Sequence, residues 1–203
     1  GENAVVKLSF TDETLITIGK NSQLDITEYL YDKKFIKNSK TKFRFLKGTF
    51  QSITGQIGKI NPDKFKLATK TAVIGIRGTT ILGNQQQVAC TQGMITVSSN
   101  GITRVLKAGM ITKTKKGVPP TPAKTYTPLQ IFEMKKQLYL ASNHNKNGLT
   151  TRVNIKGKLK PTNATINNNI KVKSSNLTSD VNTKNISVSS DAKTEVGSIS
   201  IGK

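Results

Sequence analysis

The chain has 203 residues, a formal net charge of +21 and a hydrophobic content of 34%. That length allows one domain plus appendages, and the low apolar share predicts that part of the chain has little core. A single cysteine, Cys90, excludes an intrachain disulfide framework, and no run of about 18 or more apolar residues offers a transmembrane segment.

The charge excess is spread out. Residues 1–141 carry 22 Lys/Arg against 8 Asp/Glu, and residues 142–203 carry 10 against 3. A diffuse lysine excess attracts anions over about a Debye length, ~8 Å at physiological salt. Candidate partners are therefore nucleic acid, anionic lipid or lipopolysaccharide, acidic polysaccharide and an acidic protein face. Specific nucleic-acid reading is disfavoured, because no helix-turn-helix, zinc-finger or aromatic RNA-binding signature accompanies the charge.

Residues 1–117 read as all-β. The chain opens on Gly1 and is mid-strand by Val5, so upstream sequence is expected. Alternation is clear in Val6–Phe10 and Leu15–Ile18. The turn between them, Thr11-Asp12-Glu13-Thr14, lets Asp12 bond its own backbone. Gln23–Thr27 follows as a strand. Residues 32–42, with Asp32 and the cations Lys33, Lys34, Lys37, Lys40 and Lys42, read as an exposed loop or hairpin tip. Further strands are expected at Lys42–Leu46, Lys47–Gly55, Phe65–Ala68, Ala72–Ile76, Thr79–Leu82, Val88–Thr91, Met94–Ser98, Ile102–Leu106 and Met110–Thr114. Asn100-Gly101 is a type I′ signal and predicts a hairpin between Met94–Ser98 and Ile102–Leu106. Short strands with turn signals every 8–12 residues or so predict a roll, sandwich or barrel, not βαβ units.

Pro119, Pro120, Pro122 and Pro128 mark a stiff, extended linker. A docking helix is expected from Pro128 to about Ala141, with Thr127 as N-cap and Pro128 at its first position. Its predicted inward stripe is Leu129, Phe132, the Lys135 stem, Leu138 and Tyr139. Residues 142–203 hold eleven Asn with many Ser, Thr and Lys. Apolar pairs recur there at Val153/Ile155, Ile170/Val172, Ile186/Val188 and Ile199/Ile201. They read either as irregular β-solenoid rungs or as a disordered basic tail. Three Asn-x-Ser/Thr sequons, at Asn163, Asn176 and Asn185, follow from that composition and carry no role.

Catalytic chemistry has little support. The only histidine is His144, and without a second His or a Cys partner it makes neither a metal site nor a triad. The acids Asp12, Glu13, Asp25, Glu28 and Asp32 are scattered, with no marked pair for general acid–base work, and read as turn and surface residues. Gly75, Gly78 and Gly83 lack the Gly-Lys-Ser/Thr ending and following helix of a phosphate loop. Cys90, within Val88-Ala89-Cys90-Thr91, reads as a small buried hydrophobe. No cofactor, metal or enzymatic activity is expected.

The most informative stretch is Phe65–Thr79. An apolar β-branched run is punctuated by Ile74-Gly75-Ile76-Arg77-Gly78-Thr79, which sets one permanent cation between two glycines. This run, with Pro62–Thr69 before it, resembles the central signature of the FecR domain. Leu8–Gly19, Asn21–Ile26, Leu46–Phe50, Val88–Val97 and Ile102–Gly109 are similar to the flanking strands, so the resemblance covers roughly residues 1–110. It implies an all-β, roll-like fold outside the cytoplasm. Family members include periplasmic regulators that relay receptor occupancy to a sigma factor, and exported proteins of other roles. Gly75, Arg77, Gly78 and Thr79 are the structural signature. Arg77 reads as a buried bracket between β-layers, or alternatively as a ligand anchor.

The resulting expectation is a FecR-like β domain over 1–117, a linker and docking helix over 118–141, and a basic tail over 142–203. The chain is expected to be an exported, non-enzymatic binding or signalling module of the periplasm or cell surface. Lys33, Lys34, Lys37, Lys40 and Lys42 would face an acidic partner such as lipopolysaccharide, polysaccharide or an acidic protein face. The alternatives are a structural or adhesive surface protein and a fragment of a periplasmic sigma-factor regulator.

Overall fold

The computed structural model describes residues 5–139, 150–155 and 164–167. The strands are β1 (Val5–Phe10), β2 (Leu15–Ile18), β3 (Gln23–Leu30), β4 (Lys40–Lys47), β5 (Phe50–Ile53), β6 (Phe65–Thr69), β7 (Val73–Gly83), β8 (Gln87–Ser99), β9 (Ile102–Lys107), β10 (Met110–Lys113), β11 (Lys124–Thr125), β12 (Thr150–Ile155) and β13 (Ala164–Asn167). The helices are α1 (Gln56–Ile60) and α2 (Pro128–Tyr139).

The organising pair is β7 with β8, and each of these long strands is shared between two partners. The first half of β7 pairs with β6 and its second half with β5. Along β8, residues 87–90 pair with β10 and residues 94–99 with β9. The pair bends where its register shifts between Arg77 and Ile81, so its two halves enter two layers of one curled sheet. On one side of the bend the path runs through β6, β4 and β3, with β9 along that half of β8; on the other it runs through β5, β2 and β1, with β10 along that half. Most pairings are antiparallel, but β4 with β6 and β1 with β12 are parallel. The tail segments add to opposite ends of the path, β12 beside β1 and β13 beside β3.

Period-two alternation fills the space between the layers. Val6, Leu8 and Phe10 of β1, Phe43 and Phe45 of β4, and Ile74 and Ile76 of β7 all point into one core. Rings hold the layers together: Phe10 lies 5.0 Å from Tyr29 and 4.9 Å from Phe43, and Phe45 stacks on Phe50 at 3.7 Å. Each fully buried ring contributes about 1.5–3 kcal/mol from area alone. Cys90 is buried among them.

The roll-like all-β architecture with one helix after it is the fold expected from the sequence. The Asn100-Gly101 hairpin forms between β8 and β9, with both residues at positive φ. Three local differences have physical causes. The segments expected as pairs of short strands at 72–82 and 88–98 are continuous, because a bulge bends β7 and β8 without ending the ladder. The five-residue α1 has no local side-chain cap, and its capping group comes from far along the chain. Of the expected α2 stripe Leu138 docks, but beside it Ile131 and Met134 pack on Leu82, Ala89 and Ile111, whereas Leu129, Phe132 and Lys135 are exposed. The helix offers two apolar stripes, and the docked one follows i, i+3, i+7 from Ile131. Its start is as expected, with a reciprocal box between Thr127 and Gln130. The apolar pairs at 170/172, 186/188 and 199/201, and His144, lie outside the described residues.

Candidate functional site

The four signature residues sit at the bend of β7. Gly78 has φ +59°, and Gly93 opposite it in β8 has φ +79°. A Cβ on Gly93 would lie 2.5 Å from the Gly78 carbonyl oxygen, so the two backbones approach as closely as they do only with glycine there. The bulge also breaks the inside–outside alternation. Ile74 and Ile76 face the core, Arg77 and Gly78 are both exposed, and Thr79 turns back in.

Thr79 locks this corner. Its N–H donates to Thr54 Oγ1 at 3.2 Å, and its carbonyl accepts from the Thr54 N–H and hydroxyl, both at 3.0 Å. Thr54 leads through Gly55 into α1 and a second buried cluster centred on Asp12. Asp12 is fully buried, and four donors surround its carboxylate. The Thr14 N–H and Tyr29 hydroxyl donate to Oδ1; the Thr14 hydroxyl and the Ile57 N–H donate to Oδ2. Charge-assisted bonds of this kind offset the cost of burying a carboxylate. The Ile57 N–H belongs to the first turn of α1, so Asp12 caps that helix from 45 residues away. Burial, and then the adjacent Asp12 charge, push the Tyr29 phenol well above its ordinary pKa. Asp12 keeps its expected turn role through Thr14 N–H, but it is not a surface residue.

Arg77 does not bracket the layers. It is exposed, and among the described residues it has no ion-pair partner. The reason is its place in the strand: with Ile74 and Ile76 inward, Gly75 and Arg77 fall on the outer face. Register places that face in detail. Lys42 of β4 stands opposite Lys66 of β6, Lys66 opposite Gly75 of β7, Gly75 opposite Thr96 of β8, and Thr96 opposite Val105 of β9. Arg44, Lys40 and Arg77 are exposed beside this row. Like charges directly opposite one another repel. Two acids adjoin them: Glu28 is held by Lys40 Nζ at 2.5 Å, and Asp25 stands opposite Arg44. Lys42, Arg44, Lys66 and Arg77 have no ion-pair partner among the described residues.

The candidate basic residues thus separate into two places. Lys40 and Lys42 join Arg77 on the outer sheet face, whereas Lys33, Lys34 and Lys37 lie on the β3–β4 connection; all five lysines are exposed. Sequence reading missed Arg44 and Lys66 as members of the face. The alternation Lys40-Thr41-Lys42-Phe43-Arg44 carries the signal for Arg44, but the parallel pairing that adds Lys66 leaves none.

These features define a two-layer β-roll turned about a glycine corner, with a cationic outer face. The FecR protein family matches residues 1–99, so this part of the chain carries a FecR domain. Proteins of this family are typically associated with the cell envelope. Two crystal structures, each of a candidate anti-sigma factor from Parabacteroides distasonis ATCC 8503, resemble it at 10% and 11% identity, with TM-scores of 0.47 and 0.49. Each comparison covers 67% of this chain and 62% of the other, so the chain spans less than two thirds of those proteins' length. No curated protein matches the sequence. No helix among the described residues is long and apolar enough to cross a membrane.

Proposed function

We propose that this protein is an exported, non-enzymatic FecR-type signalling module whose outer sheet face recruits an acidic partner of the envelope. The observation that carries the reading is the Lys42–Lys66 pair, aligned by register with Arg44 and Arg77 beside it and without ion-pair partners among the described residues. Glu28 of β3 stands opposite Lys42 and offsets part of the repulsion, and a bound anion would relieve the rest. The row from Lys42 to Val105 crosses five strands, about 19 Å at the usual strand spacing, which suits an extended polyanion.

A soluble acidic polysaccharide such as alginate serves as the probe. Binding is expected to weaken steeply with salt and to fall at least tenfold in a Lys42→Ala/Lys66→Ala variant of unchanged melting temperature. Affinity equal in both proteins, or flat with salt, overturns the reading. Fractionation of cells making the full-length protein is expected to place it in the envelope.

A further inference from the structure

The β3–β4 connection carries a second surface with different chemistry. Phe35 is 66% exposed and Ile60, at the end of α1, is 52% exposed. The 3-10 turn Ile36–Asn38 packs beside α1, and Asn61 Nδ2 donates to the Lys37 carbonyl at 3.1 Å, so the two segments form one tip. The same two segments carry Lys33, Lys34, Lys37, Lys59 and Lys64, all exposed. The acids there are Asp32 and Asp63. Asp32 Oδ1 is occupied by the N–H groups of Lys34 and Phe35, and its N–H donates to the Ser39 hydroxyl. These bonds hold the turn with the Phe35 ring outward.

We propose that this tip docks on an anionic lipid surface, with Phe35 and Ile60 entering the headgroup–acyl boundary and the lysines against the headgroups. An isolated exposed ring is ordinary on a protein surface. Two exposed apolar side chains and five exposed lysines on two joined segments match the two requirements of interfacial binding, apolar insertion and attraction to anionic headgroups. A purely acidic soluble partner explains the lysines but leaves Phe35 and Ile60 without a role. This surface shares no side chain with the outer sheet face, so either proposal can fail alone.

The chain has no tryptophan, so Phe35→Trp in the full chain introduces a unique reporter. With vesicles of equal parts phosphatidylglycerol and phosphatidylcholine, its emission is expected to shift to the blue and become shielded from acrylamide, and with pure phosphatidylcholine to stay unchanged. In cosedimentation with the anionic vesicles, Phe35→Ser is expected to lower partitioning about tenfold, and each of Lys33→Ala, Lys34→Ala and Lys37→Ala about fivefold. Lys42→Ala/Lys66→Ala is expected to change it less than any of these. An unshifted emission, a Phe35→Ser variant that partitions like the parent, or an equal loss from the sheet-face variant overturns the proposal.

Discussion

Arg77 and Thr79 are two residues apart and belong to opposite kinds of structure. Thr79 turns inward to a fully bonded network that joins β7, Thr54, α1 and Asp12. Arg77 turns outward to a sheet face where cations lie side by side. The first region has its donors and acceptors matched inside the molecule; in the second, Lys42, Arg44, Lys66 and Arg77 have no ion-pair partner among the described residues. A short signature run therefore holds an inward, hydrogen-bonded residue and an outward cation two positions apart. The bulge at Gly78 is what changes the facing between them.

The sharpest way to break the comparison is at Asp12. Asp12→Ala strands the Thr14 and Ile57 N–H groups and the Tyr29 hydroxyl in the core. It is expected to cost about 3–4 kcal/mol, read as a fall in the urea midpoint at unchanged slope. Gly93→Ala forces both positive φ and a clash with the Gly78 carbonyl, an expected loss of about 2–3 kcal/mol. Gly101→Ala also stands at positive φ but meets nothing within 4 Å, so about 1 kcal/mol is expected in the same assay. A Gly101 effect equal to that of Gly93 would remove the close approach as the reason for glycine at the corner.

Thr79→Val deletes a hydroxyl placed 3.1 Å from the Thr54 hydroxyl and is expected to cost about 1 kcal/mol. Arg77→Ala is expected to change stability by less than about 0.5 kcal/mol while weakening binding of the acidic polysaccharide. A large loss of stability from Arg77→Ala would return that residue to the folding side of the comparison.

Alkaline pH tests the inner network without disturbing it at neutrality. The Tyr29 pKa is raised above the ordinary 10.0 by burial and by Asp12. Its contribution is therefore fully present below pH 10 and is lost as pH rises toward the folded value, because the unfolded phenol ionises first. The stability gap between the parent and Tyr29→Phe is expected to be constant from pH 7 to 9 and to shrink above pH 10, measured by urea unfolding at each pH.

Local chemistry was legible in the sequence, and contacts between distant segments were not. The Asn100-Gly101 turn and the Thr127–Pro128 helix start depend on neighbours within a few residues, and both form as the residues indicate. Asp12 announces only its turn: Tyr29 is 17 residues away and Ile57 is 45, so its burial and its capping of α1 carry no local mark. The docked stripe of α2 is undetermined by periodicity, since Leu129–Phe132 and Ile131–Met134–Leu138 are both apolar. Lys40 and Lys42 read as part of one charged run with Lys33. Only the pairing of β4 with β6 moves them to a face with Lys66.

The pairing of β12 with β1 and of β13 with β3 bears on the open edges of the sheet. Those two tail strands cover the outermost backbone N–H and C=O rows of the curled sheet. A protein ending after α2 would present both rows bare, and open edges recruit other chains. Truncation after Tyr139 is therefore expected to raise self-association, read by size-exclusion chromatography.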